Sequence, residues 1–370
     1  MQKEKMAKHD NIKNKSAHEV WLDVAKAIGV YFVFLGHMWY WTDYPLFNQM
    51  IYSIHIPMFF IISGYLIKRN PLEKNIWQFF KKKFFRMLLP AIILNLCLSP
   101  IYFAFANKIP STGEIIKQLL FFEGKLLYNL ACWYFFVLFE AYLIERILNI
   151  VEKKWWVKLL YLILFFALGF FLYKYKFFPY FGIDRAIVAL GFLIVGMFLK
   201  DILKILKQTK NFKLYLFFIF VVSFVLWYLL SVCFNVKLSY YSMELGNYFH
   251  SILGGVFGSV WYFVLCAIIA QVSKISSKFA ENTVFIVCSH YVLITLLKEF
   301  IVKPFKLLKT TELVFIEIGY AIIGCLVLWG ISLLLSKFAP WLTGVKVKKK
   351  EINTTNKKPL NNTKEEIKKT

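Results

Sequence analysis

The sequence contains no Cys-x-x-Cys pair. Its six cysteines, Cys97, Cys132, Cys233, Cys266, Cys288 and Cys325, all fall inside apolar stretches. Zinc sites, redox dithiols and disulfide frameworks need close or regular cysteine spacing. These six read as small apolar fillers, and no metal is expected. Acidic residues are scarce, 21 Asp and Glu against 45 Lys and Arg, for a net charge of +24. In a soluble chain that excess would point to nucleic acid. Here the cations gather in short segments between apolar blocks. That pattern fits membrane topology and anionic lipid headgroups, and argues against a nucleic-acid partner. The first 19 residues lack an apolar run, so a cleavable signal peptide is not expected. No stretch alternates with period two, which excludes a transmembrane barrel. No internal repeat stands out, which weighs against a transporter built from inverted halves.

What the chain has in excess is apolar surface. Hydrophobic residues make up 59% and aromatics 19%, with a mean hydropathy of +0.59. A soluble domain holds about 45–50% apolar residues. The surplus falls in blocks of roughly 20 residues, the length a helix needs to cross about 30 Å of hydrocarbon. Backbone amides in lipid must bond within their own segment, so the blocks predict helices. The expected fold is an all-α, polytopic membrane bundle of about ten transmembrane helices. The spans fall near 20–42, 46–67, 84–106, 126–148, 156–174, 182–200, 212–234, 247–271, 281–300 and 312–336. Residues 1–19 form a cytoplasmic segment, 20–338 a membrane domain, and 339–370 a polar tail too poor in apolar residues to fold.

Loop charge sets the expected orientation. Lys3, Lys5, Lys8, Lys13 and Lys15 place the N-terminus inside. Lys68, Arg69, Lys74, Lys81, Lys82, Lys83 and Arg86 follow span two, and Lys200, Lys204, Lys207 and Lys210 follow span six. An even number of spans then returns the C-terminus to the cytoplasm. Lys298, Lys303, Lys306 and Lys309 break the rule by falling on the expected outside.

The first hairpin carries ionisable groups in hydrocarbon, where each costs about 2.5–3.5 kcal/mol on insertion scales. Span one, WLDVAKAIGVYFVFLGHMWYW, holds Asp23, Lys26 and His37. Asp23 and Lys26 are three apart and can touch. Lys26 and His37 are eleven apart, about three turns plus 20°, so all three share a stripe with His37 about 16 Å beyond Lys26. Span two, FNQMIYSIHIPMFFIISGYLI, returns past a turn near 42–47. His55 then lies level with His37. Pro57 is placed to bend the helix, and Ser63 and Gly64 permit close helix approach. Imidazole exchanges a proton near neutral pH, as a base acting on a hydroxyl must. A packed histidine and a neutral Asp23–Lys26 pair are the bland readings of the same residues.

Asp-x-x-Lys, Lys-x10-His and IHIPMFFIISGYL together resemble the membrane acyltransferase 3 family, and most nearly its fucose 4-O-acetylase-like branch. KKKFFRMLLP is similar to the basic stretch opening that family's third span. ACWYFFVLFE, IDRAIVALGFLIVGMFL and ENTVFIVCSHYVLI are similar to later segments, carrying Trp133, Arg185 and His290. The likeness covers about 20–338. The Trp-Ser of the larger O-antigen and peptidoglycan acetylases is absent after Ala131 and Cys132.

The resemblance implies a multi-pass cell-membrane O-acyltransferase, and O-acetyl transfer in particular. The donor is cytoplasmic acyl-CoA, acetyl-CoA first, and the acceptor a hydroxyl of a cell-surface glycan or lipid-linked saccharide. Lys82, Lys83 and Arg86 suit the CoA phosphates. Lys26, held by Asp23, would polarise the thioester carbonyl. His37 would be general base or acyl carrier. His55, Ser63, Glu140, Arg185 and His290 are candidate substrate-binding groups. Trp133 and the many phenylalanines are expected to face lipid or the interface. Membrane lipids are expected partners, and a homodimer is left open. A polysaccharide or lipid-linked sugar exporter is the main alternative, since it too would hold ionisable groups inside its bundle.

Overall fold

The structure, a computed structural model, describes residues 17–38, 45–68, 75–106, 111–114, 130–177, 180–234, 238–272, 279, 282–299 and 310–343. The N-terminal lysines, Arg69, Lys74, Lys303, Lys306, Lys309, the first turn at 42–44 and the tail lie outside these residues.

Among the described residues the apolar blocks form ten helical rods and no strand. They are α1 (Ala17–Gly36), α2 (Pro45–Tyr65) and α3, which joins Ile76–Lys83, a π-helical turn Phe84–Leu88 and Leu89–Ala106. After the 3-10 turn Leu130–Cys132 come α4 (Trp133–Leu148), α5 (Trp155–Lys174) and α6 (Ile183–Leu206). Then follow α7, which is Phe212–Trp227 with the π-helical turn Tyr228–Cys233, and α8 (Tyr248–Val272). The last are α9 (Thr283–Leu297) and α10 (Thr310–Phe338).

Seven rods, α2, α3, α5, α6, α7, α8 and α10, are long and apolar enough to cross a membrane. The chain is therefore a polytopic α-helical membrane bundle. Among the described residues, length and composition alone pick out these seven as candidate spans. Of the others, α4 and α9 have 16 and 15 residues, and α1 carries Asp23 and Lys26.

Some boundaries differ from the sequence reading, among them the end of α6, which runs to Leu206 instead of 200. α1 ends at Gly36 instead of running to 42, because His37 N–H donates to Phe34 at 3.2 Å and Met38 N–H to Leu35 at 3.0 Å, tightening the last turn. α3 begins eight residues early, at Ile76, where the Asn75 side chain caps the helix by accepting from Gln78 N–H at 2.9 Å. The described part of the fourth span is the 3-10 turn Leu130–Cys132 and α4 from Trp133, and its expected start near 126 lies outside the described residues.

Burial sorts the rods into an inside and an outside. α6 hides 61% of its most apolar stretch, while α5 and α7 hide only 17%. Leu160, Ile163 and Leu164 of α5 and Phe217, Phe218 and Val222 of α7 point outward. Such faces need lipid as solvent. At the centre α2 crosses α6 with backbones nearly touching. A methyl added at Gly64 would strike the Leu193 carbonyl, and one at Gly196 would strike that of Ile61. Small residues at a crossing let membrane helices gain packing where water supplies no hydrophobic drive.

Pro57 stays within helical α2, and its ring sits 2.8 Å from the position a Cβ on Gly255 of α8 would take. It packs between helices and does not border the cavity described below. Two serine hydroxyls inside the bundle return to their own helices. Ser53 donates to Met50 at 2.9 Å and Ser259 to Gly255 at 2.7 Å. Trp227 Nε1 in turn donates to Ser53 at 2.9 Å. The Tyr262 hydroxyl ties α8 to α1 by donating to the Ala25 carbonyl at 2.7 Å, one residue before Lys26.

Candidate functional site

A cavity of about 220 Å³ runs along α1 and α2. From α1 it takes Lys26, Val33 and His37. From α2 it takes Tyr52, His55, Ile56, Phe59, Ile62, Ser63 and Leu66. These α2 positions recur every three or four residues and form one helical face. Tyr52 to Leu66 covers about 21 Å of rise, so the space is a long slot with Lys26 toward one end and His37 toward the other. The far wall comes from α4, through Trp133, Tyr134, Leu138 and Tyr142, with Met87 from the π-helical turn of α3. Ser239, Tyr240 and Tyr241 close it from the segment before α8.

His37 stands one residue past the end of α1 and is half-buried. The Tyr52 hydroxyl donates to the Gly36 carbonyl at 3.1 Å. It thereby satisfies one of the carbonyls that a helix end leaves open, next to the histidine. Around the His37 ring stand Tyr52, Tyr291 and His290, with ring centroids at 6.2, 5.6 and 5.2 Å. His55 lies behind Tyr52, ring to ring at 4.9 Å. Its Nδ1 donates to the Ile51 carbonyl at 2.9 Å. In the neutral ring that leaves the lone pair on Nε2.

At the other end of the slot the Ser63 and Tyr134 hydroxyls are 3.4 Å apart, and the Tyr142 hydroxyl donates to the Ser63 carbonyl at 3.4 Å. Lys83 Nζ lies over the Tyr142 ring, 3.3 Å from its centroid. A cation so placed is held by the ring's electron-rich face. Lys82 and Arg86 are exposed on the same stretch of α3. The basic run thus borders the end of the slot where Lys26, Ser63 and Tyr142 lie.

The structure brings together four residues singled out by sequence, Lys26, His37, His55 and Ser63, as walls of one cavity. Asp23 is half-buried on α1 beside it. Trp133 corrects the sequence reading: it is 6% exposed and lines the cavity instead of facing lipid. Phe34 and Phe192, fully buried, correct the same reading for part of the phenylalanines.

Glu140, Arg185 and His290 lie outside the lining. Arg185 Nε donates to the Tyr241 carbonyl at 2.7 Å, and its guanidinium stands 3.6 Å from Asp184. It holds the closing segment in place from behind. Burial pushes the Tyr241 phenol up to about 12 against the opposing field of Arg185, so this wall presents a neutral hydroxyl. Sequence reasoning missed Tyr52, Tyr134 and Tyr142. The three-and-four spacing of the α2 face, starting from His55, was the signal that reaches Tyr52. Among the described residues no group of three or more His, Cys, Asp or Glu side chains is placed to hold a metal.

The described helices thus form a membrane bundle with a histidine and a lysine on one internal slot. The model of the acyltransferase domain, the acyltransferase 3 family, matches residues 19–337, and the chain belongs to that family. Among curated proteins and solved structures none matches the chain. The protein is a membrane acyltransferase.

Proposed function

We infer that the protein is an O-acetyltransferase of the cell membrane. It would take the acetyl group of cytoplasmic acetyl-CoA and deliver it to a hydroxyl of a glycan or lipid-linked saccharide, as the likeness to fucose 4-O-acetylase-like proteins suggests. The observation that carries this reading is the single slot linking Lys26 and Ser63 at one end to His37 and His55 at the other.

The basic run Lys82, Lys83 and Arg86 receives the CoA phosphates, Arg as a fork and Lys as point charges. The pantetheine arm then enters beside Ser63, and Lys26 Nζ polarises the thioester carbonyl with Asp23 fixing its stem. His37 takes the proton of the acceptor hydroxyl. The alcohol oxygen bonds to the carbonyl carbon, the C–S bond breaks, and the CoA thiolate receives the proton from His37.

His37 can instead attack the thioester itself, releasing CoA and passing the acetyl group to the acceptor in a second step. The two routes differ in one observable. Only the second labels the enzyme when acceptor is withheld. The aromatic wall of Trp133, Tyr134 and Tyr241 suits the apolar faces of a sugar ring, and Arg185 holds the Tyr241 carbonyl from outside the lining.

The test uses purified protein in lipid nanodiscs with radiolabelled acetyl-CoA. Wild type should consume the thioester, and His37→Ala, folded to the same melting temperature, should lose at least about a hundredfold in rate. Equal turnover by the two proteins refutes the role given to His37. Failure of wild type to touch acetyl-CoA refutes the donor.

A further inference from the structure

His290 has no surface on the slot, yet its ring is the nearest of the three that surround His37, 5.2 Å between centroids at an interplanar angle of 36°. The side chain comes from α9, more than 250 positions along the chain. It is 1% exposed. Its Nδ1 donates to the Val287 carbonyl at 2.7 Å. A carbonyl only accepts, so Nδ1 carries the hydrogen and the neutral ring has its lone pair on Nε2. That nitrogen is buried and, among the described residues, has no hydrogen-bond partner. A buried acceptor left empty keeps its full desolvation penalty, so the arrangement calls for a donor. Phe34, an inert ring 5.9 Å away, packs on one side of His290. On the His37 side stands an imidazole with an N–H to give.

We propose that His290 is a positioning residue for His37: its Nε2 accepts the His37 N–H, which fixes the tautomer that turns the other His37 nitrogen, as a lone pair, into the slot. This rests on the acyl-transfer reading and deepens it. A base needs its lone pair on the substrate side, and an imidazole left to itself divides its population between two tautomers. When His37 takes the acceptor proton, both of its nitrogens become N–H, and the His290 lone pair stabilises the imidazolium without moving. No proton passes to His290. The proton goes from the acceptor oxygen to His37 and from His37 to the leaving thiolate, while His290 stays neutral throughout. The small rotation that closes the contact is available because His37 lies beyond the last helical turn of α1.

The test compares three substitutions in the nanodisc assay. His290→Phe keeps the ring's bulk and removes the acceptor. His290→Gln keeps an oxygen at about the reach of Nε2. His290→Asn places it too short. The expected result is a fall in kcat of about a hundredfold for Phe and Asn, with the KM for acetyl-CoA unchanged and at least about tenfold recovered by Gln. Turnover at the wild-type level in His290→Phe overturns the proposal. So does an equal loss in Gln and Phe, which marks packing alone, and so does a raised KM at constant kcat, which marks substrate contact. Where the Phe protein does not purify in folded form, the ordering of Gln above Asn decides the matter. If His37→Ala is dead while His290→Phe is fully active, only this inference falls. If His37→Ala is itself active, the underlying reading has failed.

Discussion

The Tyr52 hydroxyl donates to the Gly36 carbonyl at 3.1 Å, so a side chain of α2 closes the end of α1 one residue short of His37. This bond fixes where the histidine leaves the helix. Tyr52→Phe keeps the ring that flanks both His37 and His55 and removes only the donor. A net hydrogen bond is worth about 1 kcal/mol, so the expected loss in kcat is roughly fivefold, with the acetyl-CoA KM unchanged. Steady-state transfer in nanodiscs checks it. A loss confined to KM would show that Tyr52 binds donor instead.

Gly64→Ala tests the α2–α6 crossing. The added methyl meets the Leu193 carbonyl, and backbone cannot step aside as a flexible side chain can. Overpacking of this kind costs about 1–3 kcal/mol. The melting temperature, followed by tryptophan fluorescence in detergent, should fall by several degrees. Gly319→Ala is the control, since nothing lies within 4 Å of a Cβ built there. Its melting temperature should hold or rise. Equal behaviour of the two variants would remove the crossing as a point of close contact.

Lys83→Met tests the proposed CoA entrance. Methionine keeps the apolar stem over Tyr142 and removes the charge. The KM for acetyl-CoA should rise by about tenfold, with kcat within twofold, and the effect should shrink as salt is raised. If the acetyl thioester of dephospho-CoA responds to the change as acetyl-CoA does, Lys83 is not reading that phosphate.

Lys26→Met should do the reverse. Removing a charge that acts on the developing oxyanion costs about 10²-fold in kcat, with a small change in KM. Asp23→Asn should cost less, about tenfold, because it loosens Lys26 without removing it. An equal and large loss for both would make the pair a folding element. The melting temperatures of the two variants separate these outcomes.

Much of the site was legible before the structure. The phase of Lys26 against His37 follows from residue spacing, and both line the slot together with His55 and Ser63. The helical class followed from block length and the absence of alternation. The rest escaped for definite reasons. A helix that is apolar all round does not say which side meets lipid, so Trp133 was turned the wrong way. The pairing of His290 with His37 depends on how α9 packs on α1, which no local pattern records. Tyr52 and Tyr142 act through backbone carbonyls and a ring face, and such partners leave no trace in composition. The early start of α3 rested on the single cap at Asn75, which the run of lysines masked.

Adjacent positions on α2 meet different neighbours. Ser63 borders the slot, while Gly64 is locked against the α6 backbone. That side of the chamber is therefore a fixed jaw. Any enlargement needed to seat a bulkier acyl chain or saccharide falls on the opposite jaw, where Met87 projects from a stretch already unwound from regular α geometry at Phe84–Leu88. Selection for altered cargo size should thus concentrate its changes around that turn and the facing residues of α4, leaving the glycine seam untouched.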